Sequence, residues 1–257
     1  MNVKLIAHTT LADVYVLELP PQAVPASTNE RAAVALTAIR TCYSPNAPAE
    51  ILPLEGAKYF GQSASDGEAG TEADRLFRHI TRSGHTSTLE HITYTFAIEG
   101  VSRSLLAQLT RHRQFSFSVQ SQRYVKFGSS DKSGGFDYVI PESISDDKFT
   151  ERGDNPYYRK TAAGTFIEAM ETLQKAYDAL RACGVPAEDA RYVLPNAAAC
   201  NLVMTANLRA ILEFYGKRNA STHAQWEIAD LAEAVRSEIE KVDAWVDPYF
   251  SERSASV

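Results

Sequence analysis

Residues 111–124 are the stretch of this sequence best equipped to bind an anion, because three arginines, a histidine and three serines fall within it. Just upstream, Ser104, Gln108 and Arg111 recur at i, i+4 and i+7 of a helix predicted over residues 102–113, so they share one face of it. The turn that follows offers serine hydroxyls and backbone N–H groups. The pattern predicts a recognition surface for phosphate or a similar anion.

Two other interpretations of this run stay open. Arginines in the last turn of a helix interact favourably with the negative end of its dipole without binding any ligand. Phe115, Phe117 and Tyr124, interleaved with the cations, could instead stack the bases of a nucleic acid. The net charge of −6 argues against the broad basic stripe that nucleic-acid binding needs. A pocket for one or two phosphorylated small molecules is therefore favoured, in which Arg123 can bind phosphate at two oxygens.

The same run resembles the signature of the flavin-dependent thymidylate synthases, which is an Arg-His-Arg triplet, seven further residues, then a serine and an arginine two positions later. Here the matching residues are Arg111, His112, Arg113, Ser121 and Arg123. Many members have Asn-Glu where this chain has Ser118-Val119, so a side-chain contact made by that glutamate does not carry over.

Residues 85–91, directly before a predicted strand, are similar to the second signature of this family, a His-Glu-Ser/Thr-x-x-Glu-His loop. The resemblance implies that Ser87 contacts the flavin and that Glu90 orients its neighbours, although Thr86 stands where the glutamate is usual. A metal site formed by the two histidines of this loop with His112 is the alternative, but no ligand spacing supports it.

Arg191 lies in the last turn of a helix predicted over residues 187–194, where an arginine is usually solvated. The resemblance gives it a role, because an arginine four residues before the proline of an Arg-x-x-Leu-Pro run holds the nucleotide in this family. The run ending at Pro195 fits that description.

Arg209, Glu213 and Lys217 recur at i, i+4 and i+8, which is typical of an exposed ion-pair ladder. The resemblance favours a different role for this helix. Asn207 and Arg209 are similar to the Asn-x-Arg flavin contact of the family, and Glu213 occupies a variable position that faces the flavin. Arg218, nine residues beyond Arg209, matches the arginine under the pyrimidine ring. His223 lies one residue further along than in many members, which leaves its role open.

Methylation of uracil at C5 requires electron density at that carbon. A cysteine that adds at C6 is one solution, but the three cysteines, Cys42, Cys183 and Cys200, lie outside the motifs. The resemblance implies another solution, in which Arg218 stabilises the ring ionised at N3. Ser121 is assigned to binding, because no histidine or aspartate is spaced to activate it as a nucleophile.

The resemblance therefore implies reductive methylation of dUMP to dTMP without an enzyme nucleophile. The carbon comes from 5,10-methylenetetrahydrofolate and the hydride from FAD reduced by NADPH. The implied catalytic residue is Arg218, and no metal is expected. The residues implied for dUMP are Gln108, Arg111, Val119, Gln120, Ser121, Gln122, Arg123, Arg191 and Arg218. Those implied for FAD are Ser87, Glu90, Arg111, His112, Arg113, Val119, Asn207, Arg209 and Glu213. The competing class is a non-catalytic nucleotide or RNA binder that uses the same arginines.

The chain has 257 residues, of which 44% are hydrophobic, enough for a substantial core. No segment approaches the roughly 20 apolar residues of a membrane span, and the first six residues read as a strand and not as a signal peptide. We expect a cytoplasmic protein that binds neither membrane nor nucleic acid, with reduced, buried cysteines. The resemblance implies one domain over residues 1–257 with an α/β (α+β) fold, a central mixed or antiparallel sheet flanked by helices, and a homotetramer with shared active sites.

The pattern of apolar residues and turn formers also predicts the elements of the fold. A capping box from Ser27 to Glu30 opens one helix, and Thr71 with Asp74 opens another that Gly84 ends. Residues 45–70 and 126–157 are predicted to be long connections, the second a candidate lid. The predicted strands span residues 3–6, 14–19, 92–98 and 202–205. The further predicted helices are one over 157–183, whose apolar stripe from 166 to 180 is core or interface, one that begins at Asn207, and a final one over 228–242.

Overall fold

The computed structural model of the chain describes residues 1–25, 28–152 and 155–254, and for residues 151–152, 155–159 and 252–254 it describes the backbone only. Within these residues, no helix combines the length and the apolar character needed to cross a membrane. The strands are β1 (Asn2–His8), β2 (Thr93–Ser102), β3 (Ser116–Val119), β4 (Phe149–Arg152), β5 (Asn155–Thr161) and β6 (Ala199–Asn207).

The helices alternate with these strands and with short 3-10 turns. They are α1 (Asp13–Glu18), α2 (Glu30–Thr41), α3 (Ile51–Gly61), α4 (Glu72–Ser83), α5 (Arg103–Leu109), α6 (Ala162–Ala182), α7 (Ala187–Ala190), α8 (Leu208–Arg218), α9 (Trp226–Glu240) and α10 (Asp247–Ser254). The 3-10 turns are Pro48–Glu50, Thr86–His91, Arg191–Val193 and Ala244–Val246.

The main sheet has four strands in the order β1-β2-β6-β3, and a second sheet pairs β4 with β5. The start of β2 meets the end of β6, since the backbone N–H of Leu208 donates to Ile92, and the end of β2 meets the start of β6, since Arg103 donates to Ala198. This register makes the two strands antiparallel. The predicted α+β class is confirmed.

The chain falls into two compact units. The first contains residues 1–2, 98–111 and 118–203. Its apolar cluster forms where α6 places Met170 and Tyr177 against Phe127 and Phe136, and the Tyr177 hydroxyl accepts the Phe127 N–H at 3.2 Å. The apolar stripe predicted on this helix is therefore core of the first unit.

The second unit contains residues 3–97, 112–117 and 204–257. A buried polar centre joins its elements, because Asp243 accepts from Arg31 Nε and from the Tyr94 hydroxyl, each at 2.6 Å. Burial, followed by the neighbouring Asp243 carboxylate, raises the pKa of Tyr94 well above its ordinary value. The tyrosine thus remains a neutral donor to a carboxylate that is paired with an arginine.

Several predicted elements begin where their caps indicated. The Thr71 hydroxyl and the Asp74 backbone and side chain form the predicted capping box of α4, and Gly84 ends that helix in the left-handed conformation at φ 77°. Asn207 caps α8 by accepting the Ala210 N–H at 2.8 Å. For α2 the cap is Asn29, not Ser27, which lies outside the described residues.

Several predictions about elements were wrong. Residues 126–157, predicted to be a connection, contain strand β4 and the start of β5. Residues 14–19 form most of helix α1 and not a strand, and residues 45–70 contain α3 instead of a plain connection. The long helix begins at Ala162, after strand β5, and not at residue 157. A further helix, α10, follows α9, which had been predicted to be the last.

Candidate active site

In the first unit, the end of β3 leads into the loop that carries most residues predicted to bind the nucleotide. The Gln120 N–H donates to the Asn201 carbonyl of β6 at 2.8 Å, which fixes the start of the loop. The Ser121 hydroxyl accepts the Arg123 N–H at 3.2 Å, and its carbonyl accepts the Val125 N–H at 2.9 Å. Ser121 therefore shapes the turn, and its assignment to nucleotide binding stays a prediction.

Two predicted phosphate ligands of this unit, Arg123 and Arg191, meet at one residue that sequence analysis did not select. Arg123 donates from Nε and Nη2 to Glu188 Oε2, both at 3.0 Å, and Arg191 Nε donates to the Glu188 carbonyl at 2.9 Å. The Arg123 and Glu188 side chains are 54% and 47% exposed. Such an exposed pair is weak, so a phosphate can engage both cations without disrupting a buried network.

The remaining predicted nucleotide residues of the first unit differ in burial. Gln122 is buried and Val119 is half-buried, whereas Arg111 is exposed. Gln108 is on α5, and the Arg111 N–H donates to its carbonyl at 3.3 Å. Arg111 therefore follows the last turn of α5 directly, one turn after Gln108.

In the second unit, the 3-10 turn Thr86–His91 presents two predicted flavin residues. Thr86, Thr88 and Leu89 are buried, which leaves Ser87 and Glu90 on the exposed side of the turn. Thr86, which replaces the usual glutamate, is therefore a packing residue here.

Arg209 links this turn to α8. Its Nη1 donates to Glu90 Oε1 at 2.6 Å, and its Nε donates to Glu213 Oε1 at 3.1 Å. The hydrogen bond that Arg209 donates to Glu90, followed by the one it donates to Glu213, raises the pKa of Arg209. The predicted ladder of ions is thus present between Arg209 and Glu213, and it also extends across to Glu90. Three of the predicted flavin residues are brought together by this guanidinium.

Helix α8 also carries Arg218, whose Nε donates to His112 Nε2 at 3.3 Å. The His112 ring stacks on Phe115, with ring centroids 5.6 Å apart, and lies edge-on to Phe214 at 4.9 Å. Arg113, the next residue of the triplet, is exposed. His112 is therefore the residue of the triplet that contacts the predicted catalytic arginine.

A cavity of about 720 Å³ opens beside the 3-10 turn of the second unit. Ser87, Glu90 and His91 line one part of it, and α2 supplies apolar residues such as Val34 and Ala38 to another. Among the described residues that line it there is no lysine or arginine. It lies in the range of about 300 to 1,000 Å³ typical of ligand sites, and walls of this kind suit an uncharged aromatic ring.

Cys42, predicted from the sequence to be an ordinary buried residue, lies on this cavity. That prediction was wrong for two cysteines, because Cys42 and Cys183 are exposed and only Cys200 is buried. The adjacent Tyr43 donates or accepts a hydrogen bond of 2.9 Å with His85 Nδ1. The position of Cys42 just after the end of α2 gave no chemical signal in the sequence.

Within the described residues, no group of three or more His, Cys, Asp and Glu side chains is arranged to hold a metal ion. His223, whose role the spacing left open, is exposed.

The sequence matches the family described as "thymidylate synthase complementing protein" over residues 24–244. Among curated proteins, a flavin-dependent thymidylate synthase of Clostridium tetani is 37% identical over 225 residues, which cover 81% of this chain and 78% of that protein. One from Nitratidesulfovibrio vulgaris is 39% identical over 220 residues, covering 82% and 78%.

The fold is similar to that of a solved structure, the UMP/dUMP methylase PolB from Streptomyces cacaoi bound with 5-Br dUMP. The TM-score is 0.67 over 98% of this chain and 94% of PolB, at 22% identity. At this level of identity the similarity concerns the fold alone.

Proposed function

Since the chain belongs to the flavin-dependent thymidylate synthase family and is a methyltransferase that converts dUMP to dTMP, we propose how its residues divide that reaction. FAD is its cofactor, and methylenetetrahydrofolate and NADPH are its co-substrates. The meeting of Arg123 and Arg191 at Glu188 is the observation that carries the assignment of the nucleotide end of the site.

Arg123 and Arg191 bind the phosphate of dUMP, together with the loop that Ser121 shapes. Each charge-assisted hydrogen bond to the phosphate contributes about 1.5 to 3 kcal/mol, so two or three of them fix the phosphate and hence the direction of the ring. Arg111, the half-buried Val119 and the glutamines Gln108, Gln120 and Gln122 complete the nucleotide set.

Arg218 is the proposed catalytic residue. A guanidinium remains charged at every pH relevant to a protein. Next to uracil it stabilises the ring ionised at N3 and so lowers the pKa of N3, and each unit of that shift corresponds to about 1.4 kcal/mol. Ionisation at N3 raises the electron density at C5, where the new bond to carbon forms. An enzyme nucleophile is then not needed, and Ser121 stays a binding residue.

In the second unit, we assign the cavity beside the 3-10 turn to the flavin. Ser87 and Glu90 lie on it, and Arg209 holds Glu90 and Glu213 in place by ion pairs of 2.6 and 3.1 Å. We assign Asn207, His112, Arg113, Arg111 and Val119 to the same cofactor. When bound, reduced FAD supplies the hydride that completes the methyl group.

Purification of the chain followed by a visible absorption spectrum and a dTMP assay tests the function. We expect a yellow protein that forms dTMP only when dUMP, methylenetetrahydrofolate and NADPH are all present. A colourless protein that binds RNA with an affinity falling steeply with salt would instead support the non-catalytic binder.

The chemistry of Cys42 tests the assignment of the cavity to the flavin. We expect FAD to slow alkylation of Cys42 in the flavin-free C183S variant, because the cofactor ring covers the cavity wall on which that thiol lies. The C42S variant, in which the exposed Cys183 reacts, provides the matched control and should show no protection. FAD that binds fully but leaves Cys42 equally reactive would place the flavin elsewhere while leaving the enzymatic function intact.

We also propose a single thymidylate synthase domain over residues 1–257 and a homotetramer in which subunits share active sites. The assembly is supported by α1, a helix with no buried residue, on which Val14 and Leu17 are 71% and 85% exposed. Large exposed apolar side chains on one short element are typical of protein interfaces. A cytoplasmic location is proposed because NADPH and reduced folates are cytoplasmic metabolites.

A further inference from the structure

We propose that His112 is a positioning residue for Arg218, acting through the hydrogen bond between the two side chains. The inference rests on the proposed function, because it assumes that Arg218 acts on the uracil ring. It gives a further role to His112, which is assigned above to the cofactor.

Helix geometry brings the three partners together. Phe214 and Arg218 are four residues apart on α8, so they lie on the same face, one turn apart. His112 lies over that face, edge-on to the Phe214 ring and with Nε2 3.3 Å from Arg218 Nε. Phe115 closes the stack, since it is 5.6 Å from the His112 ring and 5.5 Å from Phe214.

Both phenylalanines are buried, so the orientation of the imidazole is set by packing. Each of them is at least 93% shielded from solvent, with exposed fractions of 7% for Phe115 and 1% for Phe214. A ring held in this way cannot turn without displacing core side chains. The packed His112 ring can therefore orient the flexible side chain of Arg218.

The hydrogen bond also determines the form of the imidazole. A guanidinium N–H is always a donor, so Nε2 must be the acceptor and the proton of the neutral ring is on Nδ1. The bond uses Arg218 Nε–H and leaves the four N–H donors of the two Nη groups for other partners. An arginine tethered through Nε presents those Nη groups in a defined plane, which is the geometry that recognition of a planar uracil anion needs.

Two substitutions separate the hydrogen bond from the packing. His112→Phe keeps an aromatic ring between Phe115 and Phe214 and removes the acceptor. His112→Gln places an amide oxygen near the position of Nε2 and so retains an acceptor. An exposed histidine of α4, His79, provides the control variant His79→Phe.

With FAD bound, we expect His112→Phe to remain yellow and to lose about tenfold or more in kcat, the effect of one hydrogen bond to a charged group. His112→Gln should regain most of that loss, and His79→Phe should be indistinguishable from the unmodified chain. In the Arg218→Ala background, which we expect to stay yellow and to form almost no dTMP, His112→Phe should cause no further loss, because its effect requires the arginine.

Binding of dUMP, measured by equilibrium dialysis, provides a readout that does not depend on turnover. We expect the affinity to fall in His112→Phe and in Arg218→Ala, and again not to fall further in the double variant. Loss of FAD from His112→Phe would overturn the proposal, as would additive effects in the double variant or a His112→Gln protein no better than His112→Phe.

Failure of the proposed function has a different signature. If the unmodified chain formed no dTMP, or if Arg218→Ala were fully active, the role of Arg218 would fall. If Arg218→Ala were inactive but His112→Phe were fully active, only the positioning role would fall.

Discussion

Arg123 is paired with the carboxylate of Glu188 at the position that we propose for the phosphate of dUMP. The Glu188 side chain neutralises the guanidinium and its backbone carbonyl holds Arg191, so one residue organises both cations. Because the Arg123–Glu188 pair is about half exposed, it contributes at most about 1 kcal/mol to stability. The pair therefore serves to arrange the cations, with little effect on the free energy of unfolding.

We predict that Arg123→Ala raises the KM for dUMP at least tenfold, since it removes a charge-assisted hydrogen bond worth about 1.5 to 3 kcal/mol. Glu188→Ala should raise the KM by a smaller factor, because both arginines remain but lose their alignment. Steady-state kinetics at varied dUMP, together with thermal denaturation, measure these effects, and Tm should barely change. Glu168→Ala, which breaks the exposed Lys160–Glu168 pair of the same unit, is the control and should leave the KM unaltered.

At this scale the sequence identified the cations but not the groups that hold them. The arginines stand in recognisable spacings. The structure shows that Arg123 and Arg191 both donate to Glu188, and that Arg218 donates to His112. Glu188 was missed because its role depends on a contact between residues 65 positions apart, which no local pattern records. Cys42 was missed because a thiol is chemically informative only once its cavity is known.

Helix α3 was not predicted from the sequence. It provides the Glu55 carboxylate, around which the end of α2 is arranged. Pro53 lies in the first turn, where a missing N–H costs no helical hydrogen bond. Gly56 has a packing reason, since a Cβ there would be 2.2 Å from the Ala23 carbonyl oxygen. A proline and a glycine that normally indicate a loop are here compatible with a helix.

Glu55 of α3 accepts from Arg40 Nε at 2.6 Å, from Asn46 Nδ2 at 3.0 Å, and from the Ser44 hydroxyl. Burial raises the pKa of this carboxyl, but the hydrogen bonds from Arg40, Ser44 and Asn46 outweigh it and leave the pKa below its ordinary value. Because the pKa of Glu55 is lower in the folded chain than in the unfolded chain, the carboxylate stabilises the fold at pH values above its pKa in the unfolded chain. This stabilisation is lost as the pH falls through its pKa in the folded chain.

We therefore predict that Glu55→Gln lowers the free energy of unfolding by about 1 to 3 kcal/mol at neutral pH. The difference from the unmodified chain should shrink as the pH is lowered below the ordinary glutamate pKa of about 4.3. Denaturant unfolding of both proteins across this range measures it. A difference that stays constant with pH would show that the charge of Glu55 is not the source of the stabilisation.

Element prediction succeeded where a local cap marks the boundary and failed where distant contacts decide. Thr71, Gly84 and Asn207 each act within one turn of their own helix, so their spacing was sufficient. Strand β5 depends instead on pairing with β4, and without that pairing the residues before Thr161 were assigned to α6. Thr161 is in fact the N-cap of α6, accepting the Gly164 N–H at 3.0 Å.

At the scale of the whole molecule, the described residues include large apolar side chains that lie exposed on α1. The alternation of Val14 and Val16 was interpreted as a half-buried strand, but the residues form α1, where Val14 and Leu17 are three apart and share a face. Neither is buried in the structure. Apolar side chains that share one face of a helix and lie exposed within the described part of the chain are typical of an interface with another chain, which is why α1 is offered in support of the proposed homotetramer.

We predict that Leu17→Asp weakens assembly, because a charge placed in the centre of an apolar contact must be desolvated on association, at a cost of more than about 1 kcal/mol. Sedimentation velocity should then show smaller species at concentrations where the unmodified chain forms the proposed tetramer. Circular dichroism should be unchanged, because α1 has no buried residue. The conservative Leu17→Met variant keeps the apolar surface and should assemble normally. If sites are shared between subunits, the rate of dTMP formation per mole of Leu17→Asp protein should rise with protein concentration. A Leu17→Asp protein that is fully tetrameric and active would exclude α1 from the interface.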